Sequence, residues 1–211
     1  DAGGSILNNY TPDREQAARN AKAVLRNLIL TRRGGEPPAR LSALNRRIEE
    51  HLAGLDIWRA CRFPCIYISA KPGEVDTHGL IRGALVQGKR VCVPVTHPGS
   101  SDLEIVEITS LDPLVPGHFG LLDPAPENCR PLNGSEWDLV IAPGVAFDRL
   151  GHRIGFGRGY YDRLLARKNV PALALAFSFQ IVPEFEVSGN DVDMDYIVTD
   201  EEVIIVRPRK L

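Results

Sequence analysis

Short apolar runs at 63–69, 91–95, 138–142 and 172–177 alternate with segments of helical spacing, and this alternation constrains the fold most. The runs are too short for buried helices and too continuously apolar for strands with one face in water. Strands of that kind are covered on both faces, so a repeated strand-then-helix order predicts an α/β fold with a mainly parallel sheet and helices on both faces. A length of 211 residues suits one such domain over 12–211, two small domains being the alternative.

The first helix is predicted to start at Thr11-Pro12-Asp13, with a capping hydroxyl, Pro at the first helical position and an acid in the first turn. Ala17, Ala18, Ala21, Val24, Leu25, Leu28 and Ile29 then recur at three and four, and Gly34-Gly35 closes the helix. Further helices are expected at 41–52, 77–87 and 159–167, with Gly54 and Gly88 as stops for the first two. Short closing strands are expected at 197–198 and 203–206. Residues 96–136, rich in Pro, Gly and Asp, read as loops and an edge hairpin around a strand at 103–108. Residues 1–11 begin without Met and lack a charged segment ahead of an apolar block, so they read as a trimmed or disordered leader rather than a signal peptide.

A net charge of −2 gives no global pull toward nucleic acid or an anionic membrane, so neither is expected as a partner. No apolar run approaches the roughly 18 residues of a membrane helix. Cys61, Cys65, Cys92 and Cys129 show no paired spacing for zinc, and free thiols in a reducing, cytoplasmic setting are the expectation.

The stretch most informative about chemistry runs over 138–165, DLVIAPGVAFDRLGHRIGFGRGYYDRLL. A strand ends at Pro143-Gly144, and glycines at 155, 157 and 159 precede a helix. Alternating glycines let backbone N–H groups approach an anion closely, and a helix start adds partial positive charge. Neither the Walker loop nor the Rossmann spacing is present, and a plain tight turn is the alternative. Arg153 and Arg158 can neutralise phosphate oxygens. Asp162, in the first helical turn, would repel a bare phosphate and favours a bridging divalent cation, with simple helix-dipole complementation as its plainer reading. Lys22 and Arg26 share a helix face and invite an anion between them, against a solvated basic face continuing through Arg19 and Arg33. His78, His97 and His152 have no partner at useful spacing and read as surface or capping residues.

The run FDRLGHRIGFGRGYYDRLL resembles the signature of the 5-formyltetrahydrofolate cyclo-ligases, in which a Phe-Asp pair precedes RLGxGxGYYD. Ala21-Lys22-Ala23-Val24-Leu25-Arg26 resembles that family's KxxLR segment, and Gly73-Glu74-Val75-Asp76-Thr77 its (D/S)E(V/I)xT element. The acidic run 190–195 resembles its C-terminal element; the EF-hand alternative fails because Tyr196 replaces the turn glycine.

The resemblance implies an ATP- and Mg²⁺-dependent enzyme on a fold like that of sugar-phosphate isomerases and CoA-transferases. Its substrates would be 5-formyltetrahydrofolate and its polyglutamates, with the chain acting as monomer or homodimer. ATP would lie against Lys22, Arg26, Arg153, Gly155, Gly157, Arg158, Gly159, Tyr160 and Tyr161, among which Lys22, Arg153 and Tyr161 are assigned to catalysis. Folate would meet Arg26, Ile68, Glu74, Phe156, Gly157 and Tyr160, and Asp162 and Asp191 would hold the metal. Phe156 stands where some family members carry a basic residue. Thr77 or Asp76 can cap the following helix, whereas Glu74 is not needed there and is free to accept pterin N–H groups. If Asp162 sits among acids such as Asp191, neutralising it should leave the apo fold unchanged or slightly firmer. The rival readings are a non-catalytic folate-binding or regulatory protein and a sugar-phosphate isomerase or CoA-transferase-like enzyme.

Overall fold

The computed structural model describes residues 12–132, 136–167, 170–187 and 189–207. The expected leader, the Thr11 cap and Ser188 fall outside these residues. Helix α1 (Pro12–Gly35) ends at the Gly-Gly pair as the spacing predicts. Helix α2 (Pro38–Gly54) starts three residues before the apolar periodicity, because Pro38 presets the first helical turn. A five-residue helix α3 (Asp56–Ala60) follows, burying Ile57 and Trp58, and is too short to show a period.

An eight-stranded sheet follows: β1 (Pro64–Ile66), β2 (Val91–Thr96), β3 (Leu103–Ile108), β6 (Cys129–Pro131), β7 (Leu139–Ala142), β10 (Ala172–Leu175), β11 (Tyr196–Val198) and β12 (Val203–Ile205). Its order is β12-β11-β10-β7-β1-β2-β3-β6. The five strands from β11 to β2 are parallel, while β12 and the β3-β6 pair add antiparallel flanks. Successive residues of the central strands feed opposite layers. Leu139, Ile141, Leu173 and Leu175 pack with Ile48, Leu52 and Ile81 on one face. Val140, Ala142, Ala172 and Ala174 pack with Leu164 and Leu165 on the other. Ile81 belongs to α4 (His78–Val86), and the Leu164-Leu165 pair to α5 (Tyr160–Ala166), so both faces are covered.

Strand order reverses between β1, whose next strand lies on one side, and β7, whose successors lie on the other. Loops leaving such a point diverge and open a crevice beyond the carboxyl ends of the strands. Two small hairpins edge it. Strands β4 (Leu114–Pro116) and β5 (Leu122–Pro124) pair within the stretch read as loops, while the strand expected at 103–108 is β3, which pairs antiparallel with the edge strand β6 across a longer connection than a hairpin turn. Strands β8 (Ala146–Phe147) and β9 (Arg153–Ile154) pair inside the stretch read as a turn; two residues each leave no pattern to detect.

The inward side of α1 corrects its periodicity. Val24 and Leu28 are exposed, Ile29 is buried, and Lys22, Leu25 and Arg26 are half-buried beside it. Arg33, which the alternative reading of α1 placed on a solvated basic face, is 1% exposed. All four cysteines are free thiols, and Cys65 faces Cys92 across adjacent parallel strands.

Candidate active site

Beyond the switch point lies a cleft of about 440 Å³. Tyr67 and Ile68 reach it from the end of β1, Pro94 and Thr96 from β2, and Pro143 from the end of β7. Every residue assigned above to ATP, folate or metal lines it: Lys22 and Arg26 from α1, Ile68 and Glu74 from the loop after β1, those assigned within Arg153 through Asp162, and Asp191. The wall facing them, Phe119 to Asp123 with Lys71, was not foreseen.

The glycine-rich side is built by the β8-β9 hairpin. Asp148, the acid of the Phe-Asp pair, is 1% exposed. Its Oδ1 accepts from the N–H groups of Leu150 and His152, and its Oδ2 lies 2.7 Å from His152 Nδ1. This acid folds the turn that presents Arg153. His152 therefore has a buried partner, and His97 and His78 also find partners, in Glu104 and the Ser69 carbonyl. Spacing missed these because the contacts arise from turn geometry. Gly157 and Gly159 have φ of 91° and 66°, a region that side chains disfavour, so the backbone requires these two of the three alternating glycines.

The cations face anions already present. Arg153, with 5% of its side chain exposed, donates from Nη2 to Asp162 Oδ1 at 2.7 Å and from Nη1 to the Pro143 carbonyl at 3.3 Å, while Nε is buried without a partner among the described residues. Lys22 Nζ lies 2.5 Å from Asp191 Oδ2. Arg26 Nε donates to the Gly155 carbonyl at 2.8 Å. Two expectations are corrected here. Lys22 and Arg26 lie on the docked face of α1, each with its own partner, and Asp162 rests on a buried guanidinium, with the Val192 N–H 3.5 Å from the same oxygen, so its charge is compensated. The acidic run splits similarly: Asp195 is 2% exposed and accepts the Ala172 N–H, Asp193 pairs with Arg207, and only Asp191 lines the cleft.

Glu74 Oε2 accepts the N–H groups of Ala70 and Lys71 at 3.0 and 2.9 Å, which folds its own loop. Thr77 ties that loop to β1 instead of capping α4, its hydroxyl donating to the Tyr67 carbonyl; Asp76 accepts the His78 N–H. Behind the loop, Arg33 donates to the Pro72 carbonyl at 3.1 Å, with Nε and Nη1 buried without a partner among the described residues. Burial pulls the Arg33 pKa down, and the Glu74 charge opposes that shift. The double tyrosine divides its work. Tyr160 donates its hydroxyl to the Ser100 carbonyl at 3.1 Å, while Tyr161 packs against both main apolar layers. Burial holds the Tyr161 phenol well above its ordinary pKa, so it stays a neutral donor and wall. Across the cleft, the Arg158 guanidinium lies 3.8 Å from the centre of the Phe119 ring.

Cations at one end, aromatic and apolar walls between, and an opening at the switch point of a parallel sheet define an α/β enzyme suited to an anionic ligand carrying a flat ring system. The comparisons narrow this. Residues 18–200 match the 5-formyltetrahydrofolate cyclo-ligase family, and the chain belongs to that family. The mitochondrial 5-formyltetrahydrofolate cyclo-ligase of Arabidopsis thaliana is 29% identical over 213 residues, which covers 89% of this chain and 77% of the relative. A probable 5-formyltetrahydrofolate cyclo-ligase of Caenorhabditis elegans is 34% identical over 157 residues, 66% of this chain and 73% of that protein. The NMR structure of Aquifex aeolicus 5,10-methenyltetrahydrofolate synthetase superposes with a TM-score of 0.76 at 28% identity, covering 90% of this chain and 95% of that one.

Proposed function

We propose that this chain uses ATP to close 5-formyltetrahydrofolate into 5,10-methenyltetrahydrofolate, releasing ADP and phosphate. The observation that carries the reading is the convergence in one cleft of three separate segments, at Lys22-Arg26, Glu74 and Arg153–Asp162, that resemble the family. The triphosphate lies against Lys22, Arg26, Arg153 and Arg158, with Gly155, Gly157 and Gly159 letting it approach the backbone and Tyr160 and Tyr161 closing the side. The reduced folate is oriented by Arg26, Ile68, Glu74, Phe156, Gly157 and Tyr160. Lys22 and Arg153 stabilise charge on the transferred phosphoryl group, and Tyr161 supplies a neutral donor beside it.

The donor set fits Mg²⁺. No cluster of three His, Cys, Asp or Glu able to hold a metal occurs among the described residues. Mg²⁺ is commonly held by one or two carboxylates plus phosphate oxygens and water, which Asp162 and Asp191 can satisfy with a nucleotide present. The phosphates would take over Arg153 and Lys22, releasing both carboxylates. Bound there, the metal would neutralise charge on the β- and γ-phosphates.

The eight-stranded sheet draws strands from Pro64 to Ile205, which supports reading 12–211 as one catalytic unit. The polyglutamate tail is taken to leave through the cleft mouth, and the chain to act as monomer or homodimer. Free thiols, and the lack of any helix among the described residues long and apolar enough to cross a membrane, are compatible with a reducing compartment, which we take to be the cytoplasm. The test is the methenyl-folate absorbance from 5-formyltetrahydrofolate: a rise that requires ATP and Mg²⁺ is expected. Folate binding without turnover would return the chain to a non-catalytic folate binder.

A further inference from the structure

We propose that Asp123 is the general base of the cyclisation, taking the proton that N10 loses as it closes onto the activated formyl carbon. The proposal rests on the activity proposed above, whose chemistry demands a proton acceptor. The formyl oxygen takes the γ-phosphoryl group and ADP leaves. The N10 lone pair then forms the new C–N bond, and the N10–H proton passes to the Asp123 carboxylate. The C–O bond breaks with its electrons going to phosphate, which carries away the proton from Asp123, and the cationic methenyl bridge remains.

Four carboxylates line the cleft: Glu74, Asp123, Asp162 and Asp191. Three are engaged. Glu74 accepts two backbone N–H groups, Asp162 holds Arg153, and Asp191 holds Lys22. Asp123 pairs through its backbone with Val115 on β4, in the wall opposite the glycine-rich turn, but its carboxylate makes no hydrogen bond or ion pair among the described residues. Its position is set by shape. A Cβ added at Gly117 would stand 2.3 Å from Asp123 Oδ2 and 2.8 Å from Oδ1, so the carboxylate lies across the bare backbone of residue 117. Gly117 has φ −100°, which any residue adopts, so its lack of a side chain matters for room and not for backbone freedom. Burial also raises the Asp123 pKa, opposed by His118 and His97, and Cys129 is the further titratable group that feels its charge. A base with a raised pKa binds a proton more firmly and suits transfer near neutral pH.

The test uses the full chain with Asp123→Asn, Asp123→Glu and Gly117→Ala, followed by methenyl absorbance across pH and by melts with MgATP. Asp123→Asn is expected to lower kcat by about 100-fold or more. It should also lose the acidic limb of the pH profile, where the wild type fails as its carboxylate protonates. Asp123→Glu should restore part of the rate and the limb. Gly117→Ala, which leaves the carboxylate but displaces it, should lower kcat severalfold. The thermal shift with MgATP should stay at its wild-type size in all three. Wild-type turnover with an unchanged acidic limb in Asp123→Asn would overturn the assignment, as would a loss of rate matched by loss of the MgATP shift. A wild type with no ATP-dependent product would instead overturn the activity and this role with it.

Discussion

Replacing Asp162 with Asn isolates the pair on which the cleft is built. Arg153 has 5% of its side chain exposed and Asp162 has 23%, with 2.7 Å between Nη2 and Oδ1. Removing one partner of a fully buried pair costs about 3–5 kcal/mol. Here Asn keeps a neutral acceptor and the acid is part-solvated, so the loss should approach that of one charge-assisted hydrogen bond, about 1.5–3 kcal/mol. At about 2–4 °C per kcal/mol for a chain of this size, the apo melting temperature should fall by roughly 3–12 °C. Dipole complementation alone would cost about 0.3–1 kcal/mol. The metal role adds a second, separable consequence: turnover and the Mg²⁺-dependent part of the ATP-induced stabilisation should both be lost. The assay is a thermal melt of wild type and variant, apo, with ATP alone and with MgATP, beside the absorbance assay. A variant that melts with the wild type refutes the ion-pair argument. One that melts lower yet keeps its turnover and Mg²⁺ response refutes the metal role.

Lys22→Ala and Arg26→Ala should each weaken MgATP binding by about 1.5–3 kcal/mol, read by nucleotide titration. Lys22→Ala should also release Asp191, so its apo melt should move while that of Asp162→Asn, Lys22→Ala should not simply add. Glu74→Gln should raise the folate KM and lower turnover while ATP affinity stays near normal in steady-state kinetics. On the far edge, Arg90 and Arg130 hold the Glu107 carboxyl at a pKa of about 2, against an ordinary 4.5. Its contribution is therefore full above pH 4.5 and lost as pH falls toward 2. Both arginines are largely solvated, so Glu107→Gln should cost about 1 kcal/mol at pH 7 and flatten the decline of stability over that acid window, measured by urea unfolding against pH.

Legibility in the sequence followed the physics of each signal. The parallel core was readable because strands covered on both faces must be apolar throughout, as Leu139–Ala142 and Ala172–Leu175 are. The glycine-rich turn was readable because Gly157 and Gly159 need positive φ. The burial of Arg33 was not legible because a charged residue at an inner helical position carries no mark of it; the loop with Pro72 and Gly73 is brought over it by the fold. The cleft wall at 117–123 was invisible for another reason: it follows neither period. Phe119, with φ 58°, reaches the cleft through a backbone conformation that sequence pattern does not encode. Asp123 sits in no motif, and its significance comes from what the other three acids are doing.

The inner stripe of α1 ties together parts of the cleft that are distant in sequence. Lys22 reaches the 191 loop, Arg26 the Gly155 carbonyl and Arg33 the loop holding Glu74. Eleven residues of helix span about 16 Å, so one rod reaches from the end proposed for the nucleotide to the loop proposed for the folate. A rod transmits displacement along its axis with little loss. If phosphate seats against Lys22 and Arg26 as proposed, it would bias the position of Arg33, and with it the loop behind Glu74. Any such bias must run both ways, because linkage requires that the factor by which nucleotide tightens folate equal the factor by which folate tightens nucleotide. On the proposed assignment, α1 would be a shared axle through which the two substrates sense each other.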